Sequence, residues 1–556
     1  MLRIVRRAAG ALLCIWAGLS LAAPASLPPQ AAIASAHPLA TQAGLDALAA
    51  GGNAFDAAVA VSAVLAVVEP ASSGVGGGGF YLLHVAAAGR DVMVDARETA
   101  PLAATRDMYL GRADGGSSTT GALAAGIPGE PAAWAWLAAH YGRLPLATTL
   151  QSAIKVARDG FPLYPRLQNA IRVKQHQLAA SPDAARVFLV KGEVPAVGTL
   201  IREPMLARTL EMLARDGAAA FYGGKFAEHL VSEVRRAGGI WTAEDLARYR
   251  VTEREPIRLH YRDATLVMAA PPSSGGAVIG DALQILAGYD LPSLDAGTRL
   301  HLEIEALRRG FRDRAEYLGD PDFVQIPLEQ LLSPVYAAGQ RTSIRIDRAT
   351  PSNVLRPAFT GDESPSTTHF SVLDRDGNRV GATLSINLFF GATFMVPGAG
   401  IMLNDTMDDF SIAAGKPNAF GLVGADANAI GPGKRALSSM TPTFVERPGG
   451  LMIIGSPGGS TIISTVLRGV LHWFDGMSAA EIVAAPLLHH QYLPDSVMYE
   501  SAALAPDVRA DLERRGHKLV ERRTGWSNTQ VVTWDYASGR VEAASDPRGF
   551  GVGLVY

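Results

Sequence analysis

Thr367-Thr368-His369-Phe370-Ser371-Val372-Leu373, a polar break at Asp374-Arg375-Asp376-Gly377-Asn378, then Arg379-Val380-Gly381-Ala382-Thr383-Leu384-Ser385-Ile386-Asn387 reads as two strands of a hairpin. If all five residues of the break form the loop, Leu373 pairs with Arg379 and Thr367 lies opposite Ser385. A two-residue Asp376-Gly377 turn sets Thr367 opposite Ile386 instead, and the pattern alone leaves both registers open. The first register brings two hydroxyls together at the open end of the hairpin, with Asn387 on the same face. Just ahead lies Thr360-Gly361-Asp362-Glu363-Ser364-Pro365-Ser366, a linker by composition. By itself the Thr-Thr pair is ordinary strand threonine.

Other motifs change that reading. Arg97-Glu98, Ala104-Thr105-Arg106-Asp107-Met108-Tyr109, Asn404-Asp405-Thr406-Met407-Asp408-Asp409-Phe410, Leu437-Ser438-Ser439-Met440-Thr441-Pro442, Gly455-Ser456-Pro457-Gly458-Gly459-Ser460 and Ser545-Asp546-Pro547-Arg548 accompany the Thr367 segment. Each is weak alone. Together and in order, they resemble the gamma-glutamyltransferase (glutathione hydrolase proenzyme) family of the N-terminal nucleophile hydrolases.

The chemistry fits the residue types. A threonine hydroxyl is a poor nucleophile with no base beside it. At the N-terminus of a chain it gains one, its own α-amine, with a pKa of roughly 7.7–8.0. The chain generates such a residue if the Thr367 hydroxyl attacks the carbonyl of Ser366 and the resulting ester hydrolyses. The linker would let the new end clear the site.

The resemblance implies roles for further residues. Ser385, where the family usually has threonine, would orient Thr367, and the backbone N–H groups of Gly458 and Gly459 would form an oxyanion hole. Arg97, Ser438 and Ser439 would take the α-carboxylate of a glutamyl group, Arg97 with two parallel bonds. Asn387 and Asp409 would hold its α-ammonium. Thr406 stands where the family has Gln or Glu on that ammonium, so it puts strict glutamyl selectivity in doubt. Phe420 replaces the usual tyrosine of a lid loop over Gly415 to Lys434. The implied fold is a four-layer αββα sandwich of α+β class. A large subunit of 23–366 and a small catalytic subunit of 367–556 would intertwine in one heterodimer.

The implied reaction is acyl transfer from glutathione or a related γ-glutamyl amide to water, an amino acid or a dipeptide, without a cofactor. A glutaryl-cephalosporin-type acylase on the same scaffold is the rival that Thr406 favours. An inactive binding relative is a second rival, and the intact Thr367, Ser385 and Gly458-Gly459 set argues against it.

The rest of the chain narrows the partner and the compartment. A formal charge of -3 over 556 residues, with no Lys/Arg block, gives no footprint for nucleic acid. Residues 1–22 read as a secretory signal: Arg3, Arg6 and Arg7, an apolar run from Ala8 to Leu21, and a small-x-small site at Ser20-Leu21-Ala22 or Ala23-Pro24-Ala25. An uncleaved membrane anchor is the alternative, and the run is short for a span. Export to the periplasm or beyond, without stable membrane association, is the expectation. Cys14 is the single cysteine and lies inside that segment, so disulfide, thiol and thiolate-metal chemistry are not expected of the mature chain.

Gly74-Val75-Gly76-Gly77-Gly78-Gly79 precedes a strand and lacks a following Lys-Ser/Thr. It reads as close backbone approach and not as a phosphate loop. Helices are expected over Leu39 to Ala49 and after Asn53 as N-cap, where the apolar run Ala57 to Val68 reads as a buried helix too short for a span. The pattern is mainly helical from Pro131 to Ala315, with Pro271 to Gly276 as a loop. The adjacent His489 and His490 point apart on any regular element and give no metal site.

Overall fold

The computed structural model describes residues 27–111, 116–355, 367–412, 416–522 and 526–556. Residues 1–22, read above as a secretory signal, and Ser366 and Gly415 lie outside the described residues.

Asn53 starts the helix Ala54–Val68. Its side chain accepts from the N–H groups of Phe55 and Asp56, while Asp56 accepts from the N–H of Asn53. Such a reciprocal cap is worth about 1 kcal/mol. Every residue of this helix is buried, because it packs between the helix Pro38–Ala49 and the outer face of a sheet. That double covering explains a run that is apolar all round but too short to cross a bilayer. Among the described residues, no helix is long and apolar enough to do so.

Two sheets stack at the centre. The first has seven strands, in the order Val552–Val555, Ala32–Ser35, Thr368–Leu373, Arg379–Ser385, Gly78–Val85, Arg90–Ala96 and Thr252–Arg254. The second has six: Val541–Ser545, Gln530–Asp535, Gly450–Gly455, Thr443–Arg447, Ala264–Met268 and Ile257–Tyr261. Alternation along each strand sends residues to opposite sides. Phe370, Val372, Tyr81 and Leu83 join the helices outside the first sheet. Phe80, Leu82 and Leu373 join the second sheet and its own helices Gly275–Leu286, Ala296–Tyr317 and Thr461–Phe474. The layers are helix, sheet, sheet, helix, as expected. Strands from both sides of residue 367 share the first sheet: Ala32–Ser35 is bonded to Val552–Val555 on one edge and to Thr368–Leu373 on the other.

Several local expectations need correction. The stretch from Pro131 to Ala315 holds strands besides its helices: the short pair Phe161–Pro162 and Leu200–Ile201, and then Thr252–Arg254, Ile257–Tyr261 and Ala264–Met268. Sheet pairing decides them, since Ala264–Met268 is the bridge between Ile257–Tyr261 and Thr443–Arg447. Gly275 and Gly276 open a helix and do not belong to the loop before it. The strand expected to reach Asn387 stops at Ser385, and Asn387 takes a positive φ of 78°.

Candidate active site

The hairpin adopts the five-residue loop. Leu373 pairs with Arg379 and Thr368 with Leu384, which carries Thr367 opposite Ser385. The two side-chain oxygens lie 3.3 Å apart, both residues about 4% exposed. Ser385 Oγ also accepts the N–H of Asn387 at 2.8 Å, so the turn after the strand fixes that serine. Asn387 in turn donates from its amide to the Asp405 carbonyl at 3.1 Å. The glycine run lies against the same strand end. A Cβ on Gly77 would sit 2.3 Å from the Ser385 carbonyl oxygen, closer than any side chain permits.

Behind Thr367, the face between the sheets is polar. His369 bonds Thr383 at 2.8 Å and Ser371 at 3.2 Å, and burial pushes its imidazole down to about 3, so it stays neutral. Gly455 of the second sheet closes over that ring. Ile453 lies over Gly381 and Gly455 over His369, so this strand advances toward Thr367, and Gly458 and Gly459 follow it past that end. Both have positive φ, 134° and 57°, a backbone that glycine adopts without a Cβ penalty. The Phe420 ring covers Gly459.

The expected glutamyl-binding residues also converge. Arg97 is 1% exposed and donates to Asp409, to Glu98 at 3.2 Å and to the Ala436 carbonyl at 3.4 Å. Ser438 is held beside them: its carbonyl accepts from Ser274 at 2.7 Å, and Arg314 donates to the Ser274 hydroxyl at 2.9 Å. Ser439 follows, buried. Burial raises Asp409 to about 6, offset in part by Arg97 and Arg314. Burial lowers Arg314 to about 10, offset by Asp409. Thr406 to Asp409 form a single short helical turn. Thr406 is buried, its hydroxyl beside the Glu98 carboxyl, which burial raises and Arg97 and Thr406 partly restore. Asp408 is not a solvated turn residue. It accepts from Ser118 at 2.6 Å and from the N–H of Ala419 at 2.8 Å, tying the Phe420 loop down.

Glu98, Arg314 and Asn418, which donates to Asp409 at 3.4 Å, complete this pocket. None of them carries a role in the motifs quoted above. Glu98 stood next to Arg97 as a signal, whereas the other two are brought in only by the fold. His489 and His490 do turn to different partners, Ser464 and Gln491 for the first and Asp495 for the second. Among the described residues, His301, Glu305 and His517 come together. Glu305 is already engaged by Arg308 and Arg309, so that grouping has no spare negative charge for a metal ion.

A family model described as gamma-glutamyltranspeptidase matches residues 40–556. The chain is 41% identical over 528 residues to the glutathione hydrolase proenzyme of Escherichia coli, covering 93% of this chain and 90% of that one. It is 41% identical over 497 residues to that of Pseudomonas sp. strain A14, covering 88% and 86%. The cephalosporin acylase structure from Bacillus halodurans superposes with a TM-score of 0.82 at 30% identity, covering 98% of this chain and 99% of that one. Two stacked sheets with helices outside them and matches across nearly the whole length lead to one conclusion: this chain belongs to the gamma-glutamyltranspeptidase family.

Proposed function

We propose that the chain cuts itself between Ser366 and Thr367 and then acts as a gamma-glutamyl hydrolase and transferase with Thr367 as nucleophile. In the first step the Thr367 hydroxyl adds to the Ser366 carbonyl carbon. The peptide C–N bond breaks, and water hydrolyses the ester to a Ser366 carboxylate and a free Thr367 amine. In turnover that amine takes the hydroxyl proton as Oγ attacks the γ-carbonyl carbon of the donor. Gly458 and Gly459 donate to the oxyanion, the leaving amine takes the proton, and a glutamyl ester remains. Water or an acceptor amine then releases it. Arg97, Ser438 and Ser439 bind the α-carboxylate, and Asp409 and Asn387 the α-ammonium. Phe420 covers the site.

The observation that carries this reading is the Thr367–Ser385 hydroxyl pair, 3.3 Å apart at the end of the hairpin. It rests also on the resemblance to glutathione hydrolase proenzymes. Glutathione or a related γ-glutamyl amide is the proposed donor, the two products of the cut remain together as a heterodimer, and residues 1–22 direct the chain to the periplasm or beyond. The test is a denaturing gel of purified protein followed by a chromogenic γ-glutamyl anilide assay. Wild type should give two chains and turnover, and Thr367→Ala one chain and none. Two normal-sized chains from Thr367→Ala would sink the mechanism.

One observation favours a second reading. Thr406 is buried and its short side chain stands beside the Glu98 carboxyl, so on this reading it adds no contact to an ammonium. A glutaryl donor, without an ammonium, loses less there.

A further inference from the structure

Gln491 joins two parts of the site that are far apart in sequence. Its amide nitrogen donates to the Phe420 carbonyl at 3.0 Å and to the Leu493 carbonyl at 3.2 Å. Its amide oxygen accepts from the Ser460 hydroxyl at 2.5 Å and lies 2.8 Å from His489 Nε2. Two carbonyl acceptors on one side fix which end of the amide is nitrogen. The oxygen must then accept from His489, which therefore carries its proton on Nε2 and accepts at Nδ1 from Ser464, 2.8 Å away. The imidazole is 1% exposed, and burial drives it down to about 3, in keeping with a neutral ring. All four hydrogen-bonding positions of the buried amide are thus occupied.

Both arms end on the candidate oxyanion loop. Ser460 directly follows Gly458-Gly459, and Phe420 is the ring that lies on Gly459. The Phe420 loop is also held through Ala419 N–H on Asp408, and its turn is closed by Asn418, which accepts from Phe420 and Leu422. Two clasps therefore hold the loop, one through Asp408 and the other through Gln491.

We infer that Gln491 is a positioning residue that locks the Phe420 cover to the Gly458-Gly459 loop, so that the two N–H donors are aimed only while the cover is seated. The inference rests on the proposed function and names a residue that acts through Phe420 and Ser460, without touching substrate. Donors held by packing on one side and hydrogen bonds on the other need no reorganisation as charge develops. Their loss falls on the tetrahedral state and not on the bound substrate.

The test uses Gln491→Met, which keeps the length and removes all four bonds, and Gln491→Glu, which keeps the acceptor arm to Ser460 and His489. Gln491→Met should lower kcat for a γ-glutamyl anilide about tenfold or more, with KM changed less than about threefold. Affinity for a boronic acid analogue of glutamate, which becomes tetrahedral on the nucleophile, should fall in parallel, while competitive inhibition by L-glutamate stays. Gln491→Glu should recover part of kcat. In a Phe420→Ala background, Gln491→Met should have a much smaller effect than in the wild type, because one arm then holds nothing. If Gln491→Met does not accumulate as folded protein, Ser460→Ala cuts the other arm alone and should show the same split. Unchanged kcat, equal losses for the boronate and for L-glutamate, or additive effects with Phe420→Ala would overturn the inference. Failure of the proposed function would look different, since wild type itself would then neither cleave nor turn over.

Discussion

Arg97 donates to Asp409, so the residue proposed for a carboxylate and the residue proposed for an ammonium neutralise each other. An α-amino acid carries both complementary charges on one carbon. Its entry exchanges one internal ion pair for two external ones, and neither charge is left buried and alone at any stage.

That exchange depends on shape as well as charge. A lysine at position 97 keeps the charge and loses the planar fork that meets Asp409, Glu98 and Ala436 together. Arg97→Lys should raise KM for γ-glutamyl donors about tenfold or more while self-cleavage on a gel remains normal. An unchanged KM would remove Arg97 from carboxylate binding.

Acidity should act through Asp409. Its carboxyl, raised by burial to about 6, must be ionised to hold an ammonium. Competitive binding of L-glutamate should therefore weaken about tenfold for each pH unit below about 6. Glutarate, which has no ammonium, should show no such weakening. Inhibition constants measured from pH 5 to 8 decide the matter, and parallel curves for the two ligands would refute it.

Selectivity turns on Thr406, buried beside Glu98. A glutamine there would reach further and add one hydrogen bond to the charged amine, worth roughly 1.5–3 kcal/mol or about ten- to a hundredfold. Thr406→Gln should raise kcat/KM for a γ-glutamyl donor and leave a glutaryl donor unchanged or poorer. Equal changes for both would show that position 406 does not read the amine.

Stability should carry the mark of Glu130. Its Oε1 accepts from Ser62, Tyr81 and Trp134 at 2.9 Å in the core, and burial raises the carboxyl from 4.5 to about 7. A raised pKa means that the folded state holds the proton more tightly. Its contribution is full below about 4.5 and is lost as pH rises through about 7. The loss is on the order of 1–3 kcal/mol. Melting curves should fall between pH 5 and 8, and Glu130→Gln should flatten that fall. A variant with the wild-type slope would place the titration elsewhere.

The hairpin was legible because period-two alternation and a five-residue polar break are local signals. The register was not, since two turn geometries satisfied the same pattern, and neighbours on both sides of the sheet choose between them. Asn53 as a cap and the covered helix after it were equally legible, because a cap is a matter of a few consecutive residues. The strands at Ile257–Tyr261 and Ala264–Met268 were missed within a helical context, as their hydrogen-bond partners include residues near 445. The site shows the same division. Thr367, Ser385 and Gly458-Gly459 belong to contiguous motifs, whereas Arg314, Asn418 and Gln491 are joined to them only by the fold.

The strand Ala32–Ser35, held between Val552–Val555 and Thr368–Leu373, bears on the order of events in the life of the molecule. An uncut chain threads this strand into place as an intramolecular step, at an effective concentration set by its own connectivity. Once the bond before Thr367 is broken, the same insertion becomes an encounter between two separate polypeptides. Recovery from denaturant should then depend on protein concentration for the cleaved form and not for Thr367→Ala. The proposed cut would thus turn return from the unfolded state into a two-body reaction, and the lifetime of the mature particle would then rest on how slowly it unfolds.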